Sequence, residues 1–335
     1  MYNLKRIDGL SVLVTGGCGF VGTNLCLKLK DLGANIIALD ALLPDYGATK
    51  ANVEELKQKG VIIEVVDVRD FDKMCEVIKK YKPDIVYHGA AQVSHLKSMQ
   101  VPEGAYLDID INLKGTINVL EAARRYDDNA KLIYIGTRGE YGDPQYLPID
   151  ENHPETPPDI YGVDKLAAGR YFLVYARAYG MWVSLARPTN LIGPRQRLLG
   201  FYGIIGWFVR LALEDKTIII FGDGMQTRDV LYIDDAVDAL ILMGQNDIAK
   251  NKIYNIASGK EYPLRYFAEL IVKHAGKGRI EFKPYPPEWK RIEIRRVVLS
   301  YDKIKKDLGW EPRTSIEDAI RKTVEFYKQN LSKYL

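Results

Sequence analysis

Cysteine is scarce in this chain. The 335 residues hold three, Cys18, Cys26 and Cys75, an odd number without the paired spacing of a metal site. That argues against a disulfide framework or a zinc centre and for a reducing, cytoplasmic compartment. Charge of one sign is missing too: 47 basic side chains face 44 acidic ones, a net +3, so the composition builds no polyanion-binding surface and no nucleic-acid partner is expected. The basic pairs Arg124-Arg125, Arg295-Arg296 and Lys305-Lys306 read as solvated faces or local phosphate contacts. Long apolar runs are also absent. The richest window, residues 201–213, is broken by glycines and Arg210 and falls short of the roughly 18 residues that mark a membrane span. Residues 1–10 carry Lys5, Arg6 and Asp8 in place of the apolar core of a signal peptide. Repeats and low-complexity tracts are lacking.

What is present is a chain long enough for two lobes, in which strand and helix patterns alternate. Residues 11–15, Ser-Val-Leu-Val-Thr, predict a buried parallel strand. The strand runs into Gly16-Gly17-Cys18-Gly19-Phe20-Val21-Gly22, and a helical pattern of leucines follows, ending at Gly33. Glycines at 16, 19 and 22 let the backbone turn tightly, approach a pyrophosphate and pack helix on strand. The helix start offers free amides and a positive dipole end to phosphate. A second strand, residues 35–39, ends in Asp40, 18 positions after Gly22. A carboxylate there accepts from both hydroxyls of an adenosine ribose and repels a 2′-phosphate, so NAD is expected over NADP. The competing reading makes Asp40 a turn residue capping the loop toward Pro44.

Further strands at 61–66, 84–87 and 131–136 alternate with helices at 71–81 and 112–125, the pattern of an α/β fold with a doubly wound parallel sheet of Rossmann type. After the fourth strand, Ala90 and Ala91 leave room for a flat cofactor, and His88 reads as structural. Beyond a strand at 182–187 the rhythm loosens. The expected division is a cofactor lobe at 1–187 and a smaller C-terminal α/β substrate lobe at 188–335, with 229–257 returning to the first.

The chemistry is expected at Tyr161 and Lys165, which open a helix running to about residue 179. They stand at i and i+4, one turn apart on one face. An ammonium that close favours the phenolate, lowering a pKa of about 10 toward neutral and making Tyr161 a usable general base. The same spacing recurs in Tyr46 with Lys50 and Tyr301 with Lys305, read as exposed turn or helix positions; the central copy differs in having Thr137 upstream at a strand end.

Together, Thr15 to Gly22, Asp40, Asp67-Val68-Arg69, His88-Gly89-Ala90-Ala91-Gln92, Asn112, Thr137 with Tyr141-Gly142, Tyr161 with Lys165, and Arg187-Pro188-Thr189-Asn190 resemble the extended short-chain dehydrogenase/reductase family. The later Phe221 to Asp229 and Leu308-Gly309-Trp310-Glu311-Pro312 are similar to its nucleotide-sugar epimerases and dehydratases. The resemblance spans nearly the whole chain. It implies NAD on the first lobe, with Gly16, Gly19, Phe20, Val21 and Gly22 at the pyrophosphate, Asp40 at the adenosine ribose, Asp67 and Val68 at the adenine, and Ala90, Ala91 and Gln92 along the cofactor. Lys165 would also hold the nicotinamide ribose, and Thr137 the reacting sugar hydroxyl. Asn190 and Arg228 would meet the diphosphate of a nucleotide sugar, with Arg291 closing it; for Arg228 the competing role is a salt bridge with Asp229. Family members commonly dimerise through the helices beginning near Asn112 and Tyr161, so a homodimer is expected.

Two departures shape the functional expectation. Sugar 4,6-dehydratases of this family carry an aspartate and a glutamate directly after the Thr137 position; this chain has Arg138 and Gly139, with Glu140 one place late. The turn also lacks the serines common in UDP-galactose 4-epimerases. The leading expectation is epimerisation of UDP-glucose and UDP-galactose at C4 through a 4-keto sugar. The alternatives are a UDP-glucuronate epimerase or decarboxylase, in which Arg138 serves the carboxylate rather than lying at the surface, a 4,6-dehydratase, and a catalytically silent nucleotide sensor.

Overall fold

Alternating apolar residues on each strand bury opposite faces of one sheet, since successive side chains of a strand point to opposite sides. The computed structural model describes residues 4–44, 46–100, 102–200, 202–285 and 295–335. Strands β1 (Ser11–Thr15), β2 (Asn35–Asp40), β3 (Ile62–Val65), β4 (Ile85–His88), β5 (Lys131–Ile135), β6 (Val183–Pro188) and β10 (Lys252–Ile256) form a seven-stranded sheet in the order β3-β2-β1-β4-β5-β6-β10. Every pairing in it is parallel. Leu13, Ile37, Val86, Leu132 and Leu185 pack against α3 (Phe71–Tyr81), α6 (Gly115–Tyr126) and α7 (Ile160–Tyr179). Val12, Val14, Ile36, Ile85 and Ile133 face α1 (Phe20–Asp31) and α9 (Ile233–Gln245) on the other side.

The helix starts are legible in the capping chemistry. Thr49 caps α2 (Lys50–Gln58), Asp70 caps α3 and Asp159 caps α7, each accepting from an amide in the first turn. The start of α1 at Gly19 has no side-chain cap. The helix expected at 112–125 is longer: α4 (His95–Ser98) and α5 (Glu103–Asp108) come first, and a π-helical segment (Ile109–Lys114) leads into α6. Asn112 fixes that segment by exchanging hydrogen bonds with the Gln92 backbone, accepting its amide at 2.8 Å and donating to its carbonyl at 3.1 Å.

The remaining residues build on the core of α1 and α9. A three-stranded sheet joins β7 (Asn190–Ile192), β9 (Thr227–Tyr232) and β11 (Glu261–Pro263), and β8 (Thr217–Phe221) pairs with β12 (Arg279–Lys283). Helices α8 (Ile204–Leu213), α10 (Leu264–Ala275), α11 (Asp302–Leu308) and α12 (Ile316–Asn330) cover them. Among the described residues no helix is long and apolar enough to cross a membrane.

Trp310 ties the C-terminal segment to α9. Its ring is fully buried and its indole N–H donates to the Asp235 carbonyl at 3.0 Å. Trp310→Ala should therefore lower the free energy of unfolding by about 3–5 kcal/mol, read by urea denaturation; a loss below about 1 kcal/mol would show that the segment is not anchored there.

Candidate active site

Connections leave β1 and β4 toward opposite edges of the sheet, and the crevice beyond their carboxyl ends is where such folds take ligands. A cleft of about 350 Å³ opens there. Gly16, Gly19, Phe20, Val21 and Gly22 line one end, with Asp40, Asp67, Val68, Ala90 and Ala91 beside them, and Thr137, Tyr161, Lys165 and Asn190 stand farther along the wall. Widely separated stretches of sequence thus meet in one cavity.

The glycine turn is tight for reasons a side chain would defeat. Gly16 has a φ of 68°, and a Cβ on it would lie 2.9 Å from Gly89 and Ala90 backbone atoms; one on Gly22 would lie 2.1 Å from the Gly16 carbonyl oxygen. A Cβ at Gly19 would meet only that same oxygen, at 3.3 Å, on its way into the open cleft. With α1 uncapped, its first amides and dipole are presented to whatever occupies the turn. That cradle fits the pyrophosphate of a dinucleotide. Asp40 lines the cleft, and it also turns the loop by accepting from the Leu42 amide at 3.0 Å and the Cys18 amide at 3.1 Å. Burial pushes its carboxyl above the usual range while those amides favour the charged form. Asp67 is engaged by Arg69 at 2.6 Å.

Tyr161 and Lys165 share the wall as their spacing predicts, but the expected effect of one on the other is corrected by the structure. The Lys165 ammonium donates to the Ile135 carbonyl at 2.8 Å and lies 4.4 Å from the Tyr134 ring centroid. Burial pulls it down to about 8, with the Glu140 carboxylate working to raise it. Burial drives the Tyr161 phenol upward, the charge on Glu140 adds to that, and the neighbouring Thr137 hydroxyl favours ionisation. The ammonium is satisfied by a backbone carbonyl here, so desolvation governs the phenol.

Other expectations divide. His88 is structural: its ring nitrogens meet the hydroxyls of Thr15 at 2.7 Å and Thr116 at 3.0 Å. Gln92 is not in the cleft wall. Its side-chain amide is buried and donates to Asp108 at 2.6 Å and Ser98 at 3.0 Å, so that side chain faces a polar cluster behind the wall. Arg228 also lies off the wall; it donates to the Thr227 carbonyl at 2.8 Å. The Asp229 carboxylate takes donors from Ser258, Gly259 and Leu299. Arg138 is half-buried rather than superficial, and Arg291 lies outside the described residues. Tyr46, read as an exposed turn position, lines the cleft, whereas Tyr301 packs on Trp310.

His95 and Asp159 also stand beside Tyr161. The His95 ring meets Tyr161 edge-on with centroids 4.6 Å apart, and its Nδ1 lies 2.6 Å from Asp159 Oδ2. The other Asp159 oxygen accepts from the Gly162 amide at 2.7 Å. An aspartate just before an apolar helical run was the available signal; His95 carried none.

With this geometry in view, the family model described as GDP-mannose 4,6 dehydratase matches residues 13–323. The chain belongs to this family. A UDP-glucose 4-epimerase of Mycolicibacterium smegmatis is 31% identical over 322 residues, covering 95% of this chain and 99% of the relative. The structure of the Thermus thermophilus UDP-glucose 4-epimerase in complex with NAD superposes with a TM-score of 0.83 at 31% identity, covering 95% and 99% of the two chains. That of the Thermotoga maritima UDP-glucose 4-epimerase with UDP-glucose gives 0.86 at 29%, covering 96% and 100%. The protein is thus an enzyme of the NAD-dependent nucleotide-sugar epimerase and dehydratase family, built on its fold.

Buried His88 sets an acid limit on stability. Burial, and then the nearby Lys165, lower its pKa from 6.5 to about 3. The unfolded chain accepts a proton that the folded one refuses, so this contribution is complete above pH 6.5 and lost progressively as pH falls toward about 3. His88→Gln should flatten the decline in unfolding free energy between neutral and acid pH, measured by urea denaturation across that window. An unaltered slope would place the acid sensitivity elsewhere.

Proposed function

We propose that this enzyme holds NAD in the glycine-lined end of the cleft and epimerises a nucleotide-linked hexose at C4, with UDP-glucose and UDP-galactose as the pair, through a 4-keto sugar. The observation that carries this reading is the meeting of Thr137, Tyr161 and Lys165 on the wall that continues from the glycine cradle. Gly16, Gly19 and Gly22 with the first amides of α1 hold the pyrophosphate, Asp40 takes the adenosine ribose, and Val68 with Ala90 and Ala91 borders the flat rings. NAD bound there supplies a hydride acceptor that later returns what it took.

The protein's own part is proton handling and orientation. Thr137 holds the sugar hydroxyl, and Tyr161 takes its proton as the carbon is oxidised and returns one as it is reduced. A buried phenol resists ionisation, so the base works when positive charge is brought to it; Lys165, protonated near neutrality, is one source. Asn190 and Arg228 are assigned to the diphosphate, Arg228 for the planar fork it offers, and Arg291 joins them on sequence alone. The acid and base positions of a 4,6-dehydratase are taken by Arg138 and Gly139, and Glu140 is turned into a buried ion pair, which supports epimerisation over loss of water. Exposed Val163, Tyr171 and Val174 along one face of α7 support a homodimer built on that helix.

UDP-glucose carrying deuterium at C4 should yield UDP-galactose with the label retained and without net NADH, followed by proton NMR. Tyr161→Phe should keep the fold and lower kcat by about 10²- to 10⁴-fold. Label lost to water or a 4-keto-6-deoxy product would reject the assignment.

One observation favours a second reading. Among the described residues, the half-buried Arg138 guanidinium makes no hydrogen bond or ion pair, and burial together with the charge of Arg228 lowers it to about 10. A desolvated cation that Asp159 and Asp229 act on without a direct hydrogen bond or ion pair suits an anion, and a sugar carboxylate supplies one, as in a uronate epimerase or decarboxylase. On that reading Arg138→Gln lowers kcat/KM for UDP-glucuronate by about 10- to 100-fold and leaves UDP-glucose unaffected. Equal kcat/KM for the parent and Arg138→Gln with both sugars removes Arg138 from substrate recognition.

A further inference from the structure

The turn after β5 holds a carboxylate to which the proposed reaction gives no part. Glu140 is 1% exposed and is not in the cleft wall. Its Oε1 accepts from the Thr137 amide at 3.0 Å while the Thr137 hydroxyl accepts from the Gly139 amide at 3.1 Å, so the turn is closed from both ends. Its Oε2 accepts from Arg187 Nε at 2.7 Å. Arg187, equally buried on β6, donates from Nη2 to Glu155 at 2.6 Å and lies 4.5 Å from the Tyr141 ring centroid. Gly136 makes the room: a Cβ there would stand 2.2 Å from Glu140 Oε1.

We propose that Glu140 is a positioning residue: clamped by Arg187, it holds the Thr137 turn in register with Tyr161 and sets a carboxylate at the Thr137 amide, two residues beyond the Ile135 carbonyl to which Lys165 donates. The proposal rests on the reading given above only for what those groups then do. The titratable groups around Lys165 are His88 from β4, Tyr134 from β5, Glu140 from the turn and Tyr161 and Asp164 from its own helix, with Asp108 of α5 acting on Asp164. Glu140 is the one whose charge raises Lys165 against the fall that burial imposes. Burial raises Glu140 above the usual carboxylate range, and Arg187, the Thr137 amide and then Lys165 oppose that rise by favouring its charged form. A buried carboxylate without such partners would be neutral.

Replacing the carboxylate by an amide removes the influence favouring the ammonium, so Lys165 should release its proton at lower pH. In ligand-free protein labelled with [13Cε]lysine, the Lys165 resonance is identified by its loss in Lys165→Met. Its titration midpoint in Glu140→Gln is expected about one pH unit below that of the parent. Glu140→Asp keeps the charge but withdraws it from the turn: the midpoint should stay with the parent while the Thr137 amide exchanges with solvent about tenfold faster. A Glu140→Gln midpoint equal to the parent's overturns the proposal, and so does unaltered Thr137 exchange in Glu140→Asp, which decides the matter where the Gln variant does not fold. Neither readout needs a substrate. A protein inert toward UDP-glucose that still shows both shifts would reject the C4 reading and uphold the role of Glu140.

Discussion

A parallel sheet whose connections depart in opposite directions from two adjacent strands must leave a gap beyond their carboxyl ends, and the cleft of this protein hangs from the gap between β1 and β4. The gap is usable because the backbone closes tightly around it. Gly22 lets α1 sit against the Gly16 carbonyl, and Gly16 lets the turn pass under Gly89 and Ala90. A methyl group at either place would push helix and strand apart and carry the uncapped amides of α1 out of line. Positions 16 and 22 are therefore packing constraints first, and the open room at Gly19 follows from them.

Within the cleft, desolvation is the strongest electrostatic influence, and neighbouring charges modify it. Burial lowers Lys165 and His88 and raises Tyr161, each toward its neutral form. Arg187 escapes neutralisation because two carboxylates, Glu140 and Glu155, surround it. The wall that carries Thr137, Tyr161 and Lys165 is thus a region where charge is limited by burial, and the residues behind Thr137 decide which charges persist.

Much of the site was legible from residue types at fixed offsets. The glycine turn, Asp40, Thr137, Tyr161 and Lys165 all fell where strand ends and helix starts predicted, because each lies within a few residues of a boundary marked by local chemistry. Gln92 and Tyr46 were less legible for the opposite reason: whether a side chain faces a cleft or a buried polar cluster depends on a partner distant in sequence. Gln92 turns to Asp108 and Ser98, and Tyr46 is brought to the cleft by the loop after β2. His95 reaches Tyr161 from 66 positions away, along a segment that carried no local signal.

The sequence by itself determined the parallel α/β architecture, the place of the glycine turn and the helix that pairs Tyr161 with Lys165, since these follow from periodicity, glycine and the geometry of a single turn. Only the tertiary structure decided the electrical state of that pair. An i, i+4 spacing puts an ammonium near a phenol, but the Ile135 carbonyl takes the ammonium, the surrounding core desolvates both groups, and Glu140, brought in by Arg187 from another strand, supplies the opposing charge. Spacing is a local property of the chain, whereas the solvation of a buried charge depends on every segment packed around it.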